Sequence, residues 1–258
     1  MSDDRLDLLA DPAVRSALST EMGRPIEHHA VVASTQERAR SLADEGRVAL
    51  IVADEQTAGR GRQGRPWLAP AGSALLASWV FRPLPADPAL FALLAGVAVA
   101  RALAALGVND ARVKWPNDVE LGGKKVAGVL ADAVTSADDG ALVLGIGINV
   151  HQTAPQLGDL AASATSLALE GHAVDRLALL ARVDGELRRI TADVEARRAF
   201  LAEWRARSAT LGHEVEVRSS DGASVRGLAS ALADDGALVL STASGERRIL
   251  AGEVGQLR

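Results

Sequence analysis

The chain has 258 residues, of which 48% are hydrophobic and 24% charged, and its net charge at pH 7 is −5. This length suits one medium domain and a small one, and the acidic balance argues against a general nucleic-acid-binding surface. The sequence has no Cys, which excludes disulfides, thiolate metal sites and a cysteine nucleophile.

The first part of the chain shows no targeting or membrane signal. Residues 1–25 predict a short amphipathic helix or a loose leader, and their acidic start is unlike a signal peptide. A helix-turn-helix module of ~60 residues does not fit before the first chemical motif, so we expect no DNA-binding domain. The longest apolar run, residues 89–100, is too short to span a membrane. We therefore expect a cytoplasmic protein without membrane contact.

The next elements alternate between strands and helices. Apolar runs at 48–53 and 74–81 predict buried strands. Residues 87–106 predict a helix, with Asp87 as N-cap and Gly107 just past the end. Further predicted elements are strands at 111–114, 124–132 and 141–149, a turn at 137–140, and a helix over 173–206 that breaks near residues 184–185.

After residue 211 the pattern changes to short alternating runs. These lie at 215–217, 224–232, 237–240 and 247–251, with Asp-Gly or Ser-Gly pairs at 221–222, 235–236 and 244–245. Such pairs suit tight hairpin turns because Gly tolerates a positive φ. Four or five short strands predict a small SH3-like barrel. We expect the domain boundary near residues 209–212.

The stretch from residue 53 to Trp67 carries the strongest chemical signal. It alternates three Gly with three Arg, at 59, 61 and 64 and at 60, 62 and 65. Glycines let the backbone approach an anionic ligand, and Arg side chains bind carboxylate and phosphate oxygens bidentately. Trp67 offers a ring that can stack on a purine. The alternatives are a flexible basic loop or an RNA-binding tract, whereas a P-loop is excluded because no Gly-Lys-Ser/Thr follows.

Two other segments are informative. Residues 114–118 read Lys-Trp-Pro-Asn-Asp, and such polar groups at a strand end commonly belong to sites. Residues 145–149 resemble a dinucleotide fingerprint, but the third Gly and the following helix are missing, so we reject a Rossmann fold. The five His show no metal-ligand spacing, and we expect no protein-held metal site.

Together these segments resemble the biotin protein ligases from about residue 32 to the C-terminus. The motifs that carry the resemblance are residues 34–36, 56–67, 114–118, 125–128, 145–149 and 164–167. The resemblance implies an α+β fold, in which a mixed β-sheet catalytic domain is flanked by helices, as in class II synthetases and lipoate ligases. A C-terminal SH3-like small β-barrel should follow. The expected division is a leader at 1–25, a catalytic domain at 26–208 and a C-terminal domain at 211–258.

The resemblance also implies roles for individual residues. Biotin should contact Ser34, Thr35, Gln36, Gln56, Arg60, Gly61, Arg62, Lys125, Gly128 and Gly145. ATP should contact Arg62, Arg65, Trp67, Lys114, Asn117, Asp118 and Asn149. The expected catalytic residues are Arg60, Arg62, Lys114, Asp118 and Lys125. One departure is Gln36, which stands where the family usually has Asn.

The implied reaction is the activation of biotin by Mg²⁺-ATP to biotinyl-5′-AMP, followed by transfer to a lysine of a biotin carboxyl carrier protein, such as that of acetyl-CoA carboxylase. We expect residues 59–67 to act as a lid that biotin or the adenylate orders, because water would hydrolyse an exposed adenylate. The resemblance implies a ligase without DNA binding, as a monomer or homodimer. A lipoate ligase and a non-catalytic RNA-binding module are the alternatives.

Overall fold

A computed structural model describes residues 6–135, 139–219 and 222–256. Its strands are β1 Ile26–Val32, β2 Leu50–Gln56, β3 Ala74–Phe81, β4 Arg112–Lys114, β5 Asp118–Leu121, β6 Lys124–Val134, β7 Ala141–Asn149, β8 Glu214–Arg218, β9 Ser224–Leu232, β10 Leu238–Thr242, β11 Gly245–Ile249 and β12 Glu253–Gln256. Its α-helices are α1 Pro12–Met22, α2 Thr35–Asp44, α3 Leu90–Ala104, α4 Ala154–Leu157, α5 Arg176–Ala192 and α6 Val194–Arg207. Short 3-10 helices cover Leu6–Ala10, Arg62–Gly64 and Gly158–Ala162.

The main sheet has seven strands in the order β1-β2-β3-β7-β6-β5-β4. Strands β1 and β2 run parallel, whereas the other neighbours are antiparallel. The expected mixed sheet with flanking helices is therefore confirmed. Strands β3 and β7 also have the bounds that their apolar runs predict, because long β-branched and aliphatic runs suit central strands that are buried on both faces.

The two faces of this sheet have different coverings. Side chains alternate between the faces along each strand, so Trp79 packs with the cluster that includes α3 and α5, whereas Val80 packs with the cluster that includes α2. Helix α3 is buried over most of its surface, as its uniformly apolar sequence requires. Helix α2 is short and covers only part of the sheet face on which it packs. The cavity described below lies over the uncovered part of that face.

The long helix predicted for residues 173–206 breaks at a different place. Asp193 ends α5 and caps α6, where its side chain accepts a hydrogen bond from the backbone N–H of Glu195 at 2.9 Å. The predicted break near Asp184 is wrong. Asp184 is fully buried inside α5, and it accepts a hydrogen bond from Trp79 Nε1 at 3.1 Å. This contact with β3 gives the buried carboxylate a hydrogen-bond partner, so the helix continues through a polar residue.

The N-terminal segment packs against the main sheet and α5. Leu6 and Leu9 are fully buried, and Asp7 forms an ion pair with the buried Arg176 at 3.2 Å. Asp11 caps α1, and Gly23 ends it with a φ of 64°. The helix expected here is present, and the alternative of a loose leader is wrong for residues 6–25. Residues 1–5 lie outside the described part of the chain.

Strands β8 to β12 form a second, antiparallel sheet in the order β11-β10-β9-β8-β12. This confirms the small C-terminal β-domain in outline but corrects the expected barrel. Within residues 214–219 and 222–256, β12 pairs only with β8, so β11 and β12 remain separate edges and the sheet stays open. The predicted turns at 137–140 and 221–222 lie partly outside the described residues. The domain limits stay a proposal.

A helix crosses a bilayer only if it is both long and apolar. In the part of the chain that the structure describes, no helix combines the length and apolarity that crossing a bilayer requires.

Candidate active site

A cavity of about 410 Å³ lies on the face of the main sheet that carries α2. The whole set of sequence-predicted site residues lines it, namely Ser34, Thr35, Gln36, Gln56, Arg60, Gly61, Arg62, Arg65, Trp67, Lys114, Asn117, Asp118, Lys125, Gly128, Gly145 and Asn149. The structure thus brings these residues together from segments far apart in the chain. Their individual roles stay predictions.

Glycines on the central strands make the floor of this cavity. Along β7, Ile146 and Ile148 point into the core, while Gly145 and Gly147 face the cavity. A Cβ placed on Gly147 would lie 2.5 Å from Trp67 Cε2. The alternation that resembled a dinucleotide fingerprint therefore clears space on one face and fills the core on the other.

One end of the cavity is lined by neutral polar groups at the start of α2. Ser34 caps this helix, which fixes the following residue at the cavity wall. The backbone N–H and the hydroxyl of Thr35 both donate to Gln56 Oε1, at 2.7 and 3.0 Å. Thr35 is buried and Gln56 is half-buried, so these polar groups can recognise a neutral ligand group that donates and accepts hydrogen bonds.

A lysine–carboxylate pair lies further along the cavity floor, because Lys125 Nζ would be 3.1 Å from a Cβ on Gly128, which pairs with Gly147, whereas Gln36 lies over Gly145. Lys125 Nζ lies 2.6 Å from Asp118 Oδ1 and 5.6 Å from the centroid of the Trp67 ring. A bulge in the β5–β6 pairing brings the two charges together, because the register shifts between Val119 and Glu120. Both side chains remain partly exposed to the cavity, which leaves the ammonium accessible to an anionic ligand.

The glycine–arginine segment 59–67, which we call the flap, folds back on itself. Trp67 donates its backbone N–H to the carbonyl of Gly59 at 2.9 Å. Within the flap, Arg62 donates to Asn117 Oδ1 at 3.1 Å and to the carbonyl of Gly252 at 3.2 Å. Burial lowers the pKa of the Arg62 guanidinium, and the nearby carboxylate of Asp118 partly opposes this effect. An arginine stays protonated despite such a shift, so Arg62 places a half-buried positive charge at the cavity.

The other two flap arginines are more exposed and pair with carboxylates. Arg60 lies 2.7 Å from Glu37 on α2, and Arg65 forms an ion pair with Glu253 on β12. Exposed pairs of this kind contribute little to stability, typically about 0–1 kcal/mol. Both arginines can therefore exchange these partners for a phosphate or carboxylate at low cost.

Two predicted nucleotide contacts already have protein partners. Lys114 Nζ lies 2.9 Å from Glu120 Oε1. The side chain of Asn149 is buried, donating to the carbonyl of Thr165 at 2.9 Å and accepting from Gln152 at 2.9 Å. The bond from Asn149 to Thr165 ties β7 to the segment that contains Thr165. Contact with a nucleotide stays a prediction for both Lys114 and Asn149.

The cavity has further lining residues to which sequence reasoning gave no individual role, although six of them lie within the motifs at 56–67, 114–118, 145–149 and 164–167. The further lining residues are Pro66, Leu68, Leu76, Ser78, Trp115, Pro116, Glu120, Val129, Leu130, Ile146, Gly147, Leu157, Leu160, Ser163, Ala164, Glu253 and Val254. For Ser78 a signal was available, since it is the polar residue in an otherwise apolar strand that is fully buried. For Glu253 and Val254 no local signal exists, because only the docking of β12 beside the flap brings them to the cavity.

Comparisons with known proteins agree with this geometry. The model of the biotin/lipoate A/B protein ligase family matches residues 30–149, and that of the biotin protein ligase C terminal domain matches residues 210–254. The bifunctional ligase/repressor BirA of Bacillus spizizenii is 33% identical over 266 residues, covering 95% of this chain and 78% of that protein. The biotin--[acetyl-CoA-carboxylase] ligase of Mycobacterium tuberculosis is 36% identical over 228 residues, covering 86% of this chain and 83% of that protein.

A solved structure supports the same relationship. The biotin protein ligase from Aquifex aeolicus in complex with biotin and ATP is 30% identical and superposes with a TM-score of 0.74. The match covers 90% of this chain and 98% of that chain.

Proposed function

The chain belongs to the biotin/lipoate A/B protein ligase family, and we infer that it is a biotin protein ligase. It forms biotinyl-5′-AMP from biotin and ATP and attaches biotin to a carboxylase carrier protein. The similarity to biotin protein ligases and the match to the biotin protein ligase C terminal domain favour this function over a lipoate ligase and over an RNA-binding module. The residue roles given below are our proposal.

The observation that carries the proposed roles is that one cavity has two chemically different ends. Neutral donors and acceptors line the end near Thr35 and Gln56, and cationic groups line the end near Lys125 and Arg62. Biotin has a neutral ureido ring at one end and a carboxylate at the other. The cavity therefore orients the carboxylate towards the cations, where the α-phosphate of ATP must also lie.

In the first step a biotin carboxylate oxygen attacks the α-phosphorus of ATP, and pyrophosphate leaves. Two unit charges ~4 Å apart repel by about 1 kcal/mol in water and about 4 kcal/mol at an effective dielectric of about 20. Arg62 and Lys125 offset this repulsion and stabilise the charge that develops on the phosphoryl oxygens. The Arg62 guanidinium is held at the cavity by hydrogen bonds to Asn117 Oδ1 and to the carbonyl of Gly252, so it is positioned before the anions arrive.

In the second step the amine of a carrier lysine attacks the carbonyl carbon of the adenylate, and AMP leaves. The carrier lysine is an ammonium at neutral pH, so it must lose a proton before its nitrogen can attack. The carboxylate of Asp118 lies at the cavity beside Lys125, so it can position the amine and accept that proton.

Replacing Asp118 by Asn should therefore slow transfer more than adenylation. We expect single-turnover transfer from preformed biotinyl-AMP to fall by about 10²-fold, the usual contribution of a general base. Pyrophosphate release with biotin and ATP should fall less, because no proton leaves a nucleophile in that step. The exposed Asp110 provides the control, and Asp110→Asn should leave both steps unchanged. Equal slowing of both steps by Asp118→Asn contradicts the assignment.

The proposed function also includes a role for magnesium, a cellular compartment and an oligomeric state. No three His, Asp or Glu side chains are grouped as metal ligands among residues 6–135, 139–219 and 222–256. We propose that Mg²⁺ enters with ATP, held mainly by phosphates and water. We also propose a cytoplasmic monomer or homodimer that does not bind DNA.

The deciding experiment for the function is isotope exchange between pyrophosphate and ATP. The purified chain should support exchange with biotin and much less with lipoate. Addition of a biotin carboxyl carrier domain should then give a product whose mass rises by one biotinyl group. Exchange that lipoate supports better than biotin, or no exchange with either acid, contradicts the proposed function.

A further inference from the structure

The amide of Gln36 is held at both of its ends beside the neutral part of the cavity. Its Nε2 donates to Asp132 Oδ2 at 3.1 Å and to the carbonyl of Val143 at 3.3 Å. Its Oε1 lies 3.1 Å from the hydroxyl of Ser78, within hydrogen-bonding distance. A primary amide has two N–H donors and one carbonyl acceptor. The protein uses both donors, and the oxygen points towards Ser78.

This oxygen lies over the cavity floor. A Cβ placed on Gly145 would be 2.3 Å from Gln36 Oε1, so the oxygen occupies space that any larger residue would fill. Gln36 is 6% exposed, and it lines the cavity. A carbonyl oxygen can accept two hydrogen bonds. Ser78 has a single hydroxyl hydrogen, and it also donates to Thr35 Oγ1 at 2.9 Å, so at least one acceptor position of Gln36 Oε1 is available to a ligand N–H.

We propose that Asp132 is a positioning residue that makes this site specific for a head group carrying an N–H. By holding the NH₂ of Gln36, Asp132 keeps Oε1 turned towards the cavity as an acceptor. The ureido ring of biotin has N–H donors that match this acceptor, whereas the dithiolane ring of lipoate has none. The inference rests on the proposed function and extends it to the choice between these acids.

The chemistry of Asp132 suits this task. An ionised acceptor forms a stronger hydrogen bond than a neutral one, which favours the amide orientation with NH₂ towards the carboxylate. If the amide turned round, Oε1 would face Asp132 Oδ2 and the carbonyl of Val143, and acceptor would meet acceptor at both contacts. The reversed amide would also present N–H groups to the N–H of the ligand. Biotin would then lose the hydrogen bond to Oε1 and would meet a repulsive contact between two N–H groups.

A second partner of Asp132 provides a matched control. Arg40 lies one turn further along α2, and its guanidinium donates to the same oxygen, Asp132 Oδ2, at 3.2 Å. Its side chain is 51% exposed, and it is absent from the described lining of the cavity. Removing Arg40 takes away a charge next to Asp132 but leaves the contact with Gln36.

The first test compares Asp132→Ala with Arg40→Ala in the full chain, using initial rates of biotinyl-AMP formation. Asp132→Ala should raise the KM for biotin by about tenfold, the usual value of one hydrogen bond. The KM for ATP and kcat should change little, and Arg40→Ala should leave the KM for biotin unchanged. The proposal is overturned if Asp132→Ala leaves the KM for biotin unchanged. It is also overturned if Arg40→Ala raises the KM for biotin as much as Asp132→Ala does, or if Asp132→Ala raises the KM for ATP as much as the KM for biotin.

The second test exchanges side-chain lengths, so that loss of folding cannot explain the result. Gln36→Asn and Asp132→Glu should each raise the KM for biotin, because each changes the span between helix α2 and strand β6. The double variant keeps the summed length and should recover most of the lost affinity. Recovery of the KM for biotin in the double variant shows direct coupling between the two residues. If the double variant instead raises this KM by the product of the two single effects, the proposal is overturned.

Failure of this inference can be told apart from failure of the proposed function. If the unmodified chain forms no biotinyl-AMP, the function itself is contradicted. If the unmodified chain is active and Asp132→Ala matches it in the KM for biotin, only the role of Asp132 is contradicted.

Discussion

Replacing Lys125 by Met should reduce the rate of biotinyl-AMP formation by about 10²–10³-fold, the loss typical of removing one preorganised group that stabilises transition-state charge. Met has a similar length without the charge, so the change removes the ammonium that lies 2.6 Å from Asp118. The carboxylate of Asp118 would then face the incoming carboxylate and phosphate without its cation. The substrate anions would then be repelled by Asp118 and would also lose the stabilisation by the Lys125 ammonium.

The measurement is biotin-dependent exchange of pyrophosphate into ATP under saturating substrates. Lys124→Met is the matched control, because Lys124 is the adjacent residue and its Nζ donates to the carbonyl of Ala161 at 2.7 Å. Among the described lining residues of the cavity, Lys125 is present and Lys124 is not. Similar losses of exchange in the two variants would mean that the Lys125 charge is not aimed at the reacting groups.

Replacing Gly145 by Ala should weaken biotin binding by about 10²-fold, which corresponds to roughly 2–3 kcal/mol from strained buried hydrogen bonds. The new methyl group would lie 2.3 Å from Gln36 Oε1 and 3.3 Å from Ser78 Oγ. Gln36 cannot retreat easily, because its NH₂ is bonded to Asp132 and to the carbonyl of Val143. The strand or the amide must shift, and overpacking of this kind destabilises a fold by about 1–3 kcal/mol.

The effect on binding can be measured by calorimetry with biotin, and the effect on stability by thermal unfolding. Gly185→Ala is the matched control, because Gly185 lies within α5 and a Cβ there meets nothing within 4 Å. That variant should be more stable by about 0.5–1 kcal/mol, since Ala favours a helix over Gly, and should bind biotin normally. Normal biotin affinity in Gly145→Ala would show that Gln36 does not contact the ligand.

Local patterns predicted the parts of the fold that are set by local physical requirements. The apolar runs of β3 and β7 have the predicted bounds because a strand buried on both faces needs a continuous apolar run. Turn glycines such as Gly236, with a φ of 85°, were also predictable, since few other residues adopt that conformation. The family motifs similarly identified the predicted site residues, all of which line the cavity, although not the partner that each contacts.

Long-range contacts explain what the sequence did not predict. Helix α5 continues through Asp184 because the carboxylate is bonded to Trp79, which is 105 positions away. The predicted barrel is an open sheet in the described residues, because closure depends on whether the edge strands β11 and β12 meet. Neither outcome follows from local propensity, which tertiary contacts commonly override.

By itself, the sequence determined the chemical character of this protein, namely a glycine–arginine flap, a lysine–carboxylate segment and the order of its main elements. Only the tertiary structure decided which groups meet. The bulge in β5–β6 places Asp118 against Lys125, and the packing of α2 on the sheet joins Gln36 to Asp132 across 96 positions. The physical reason is that strand register and helix docking minimise the free energy of the whole fold, so a contact between distant residues has no signature in either segment alone.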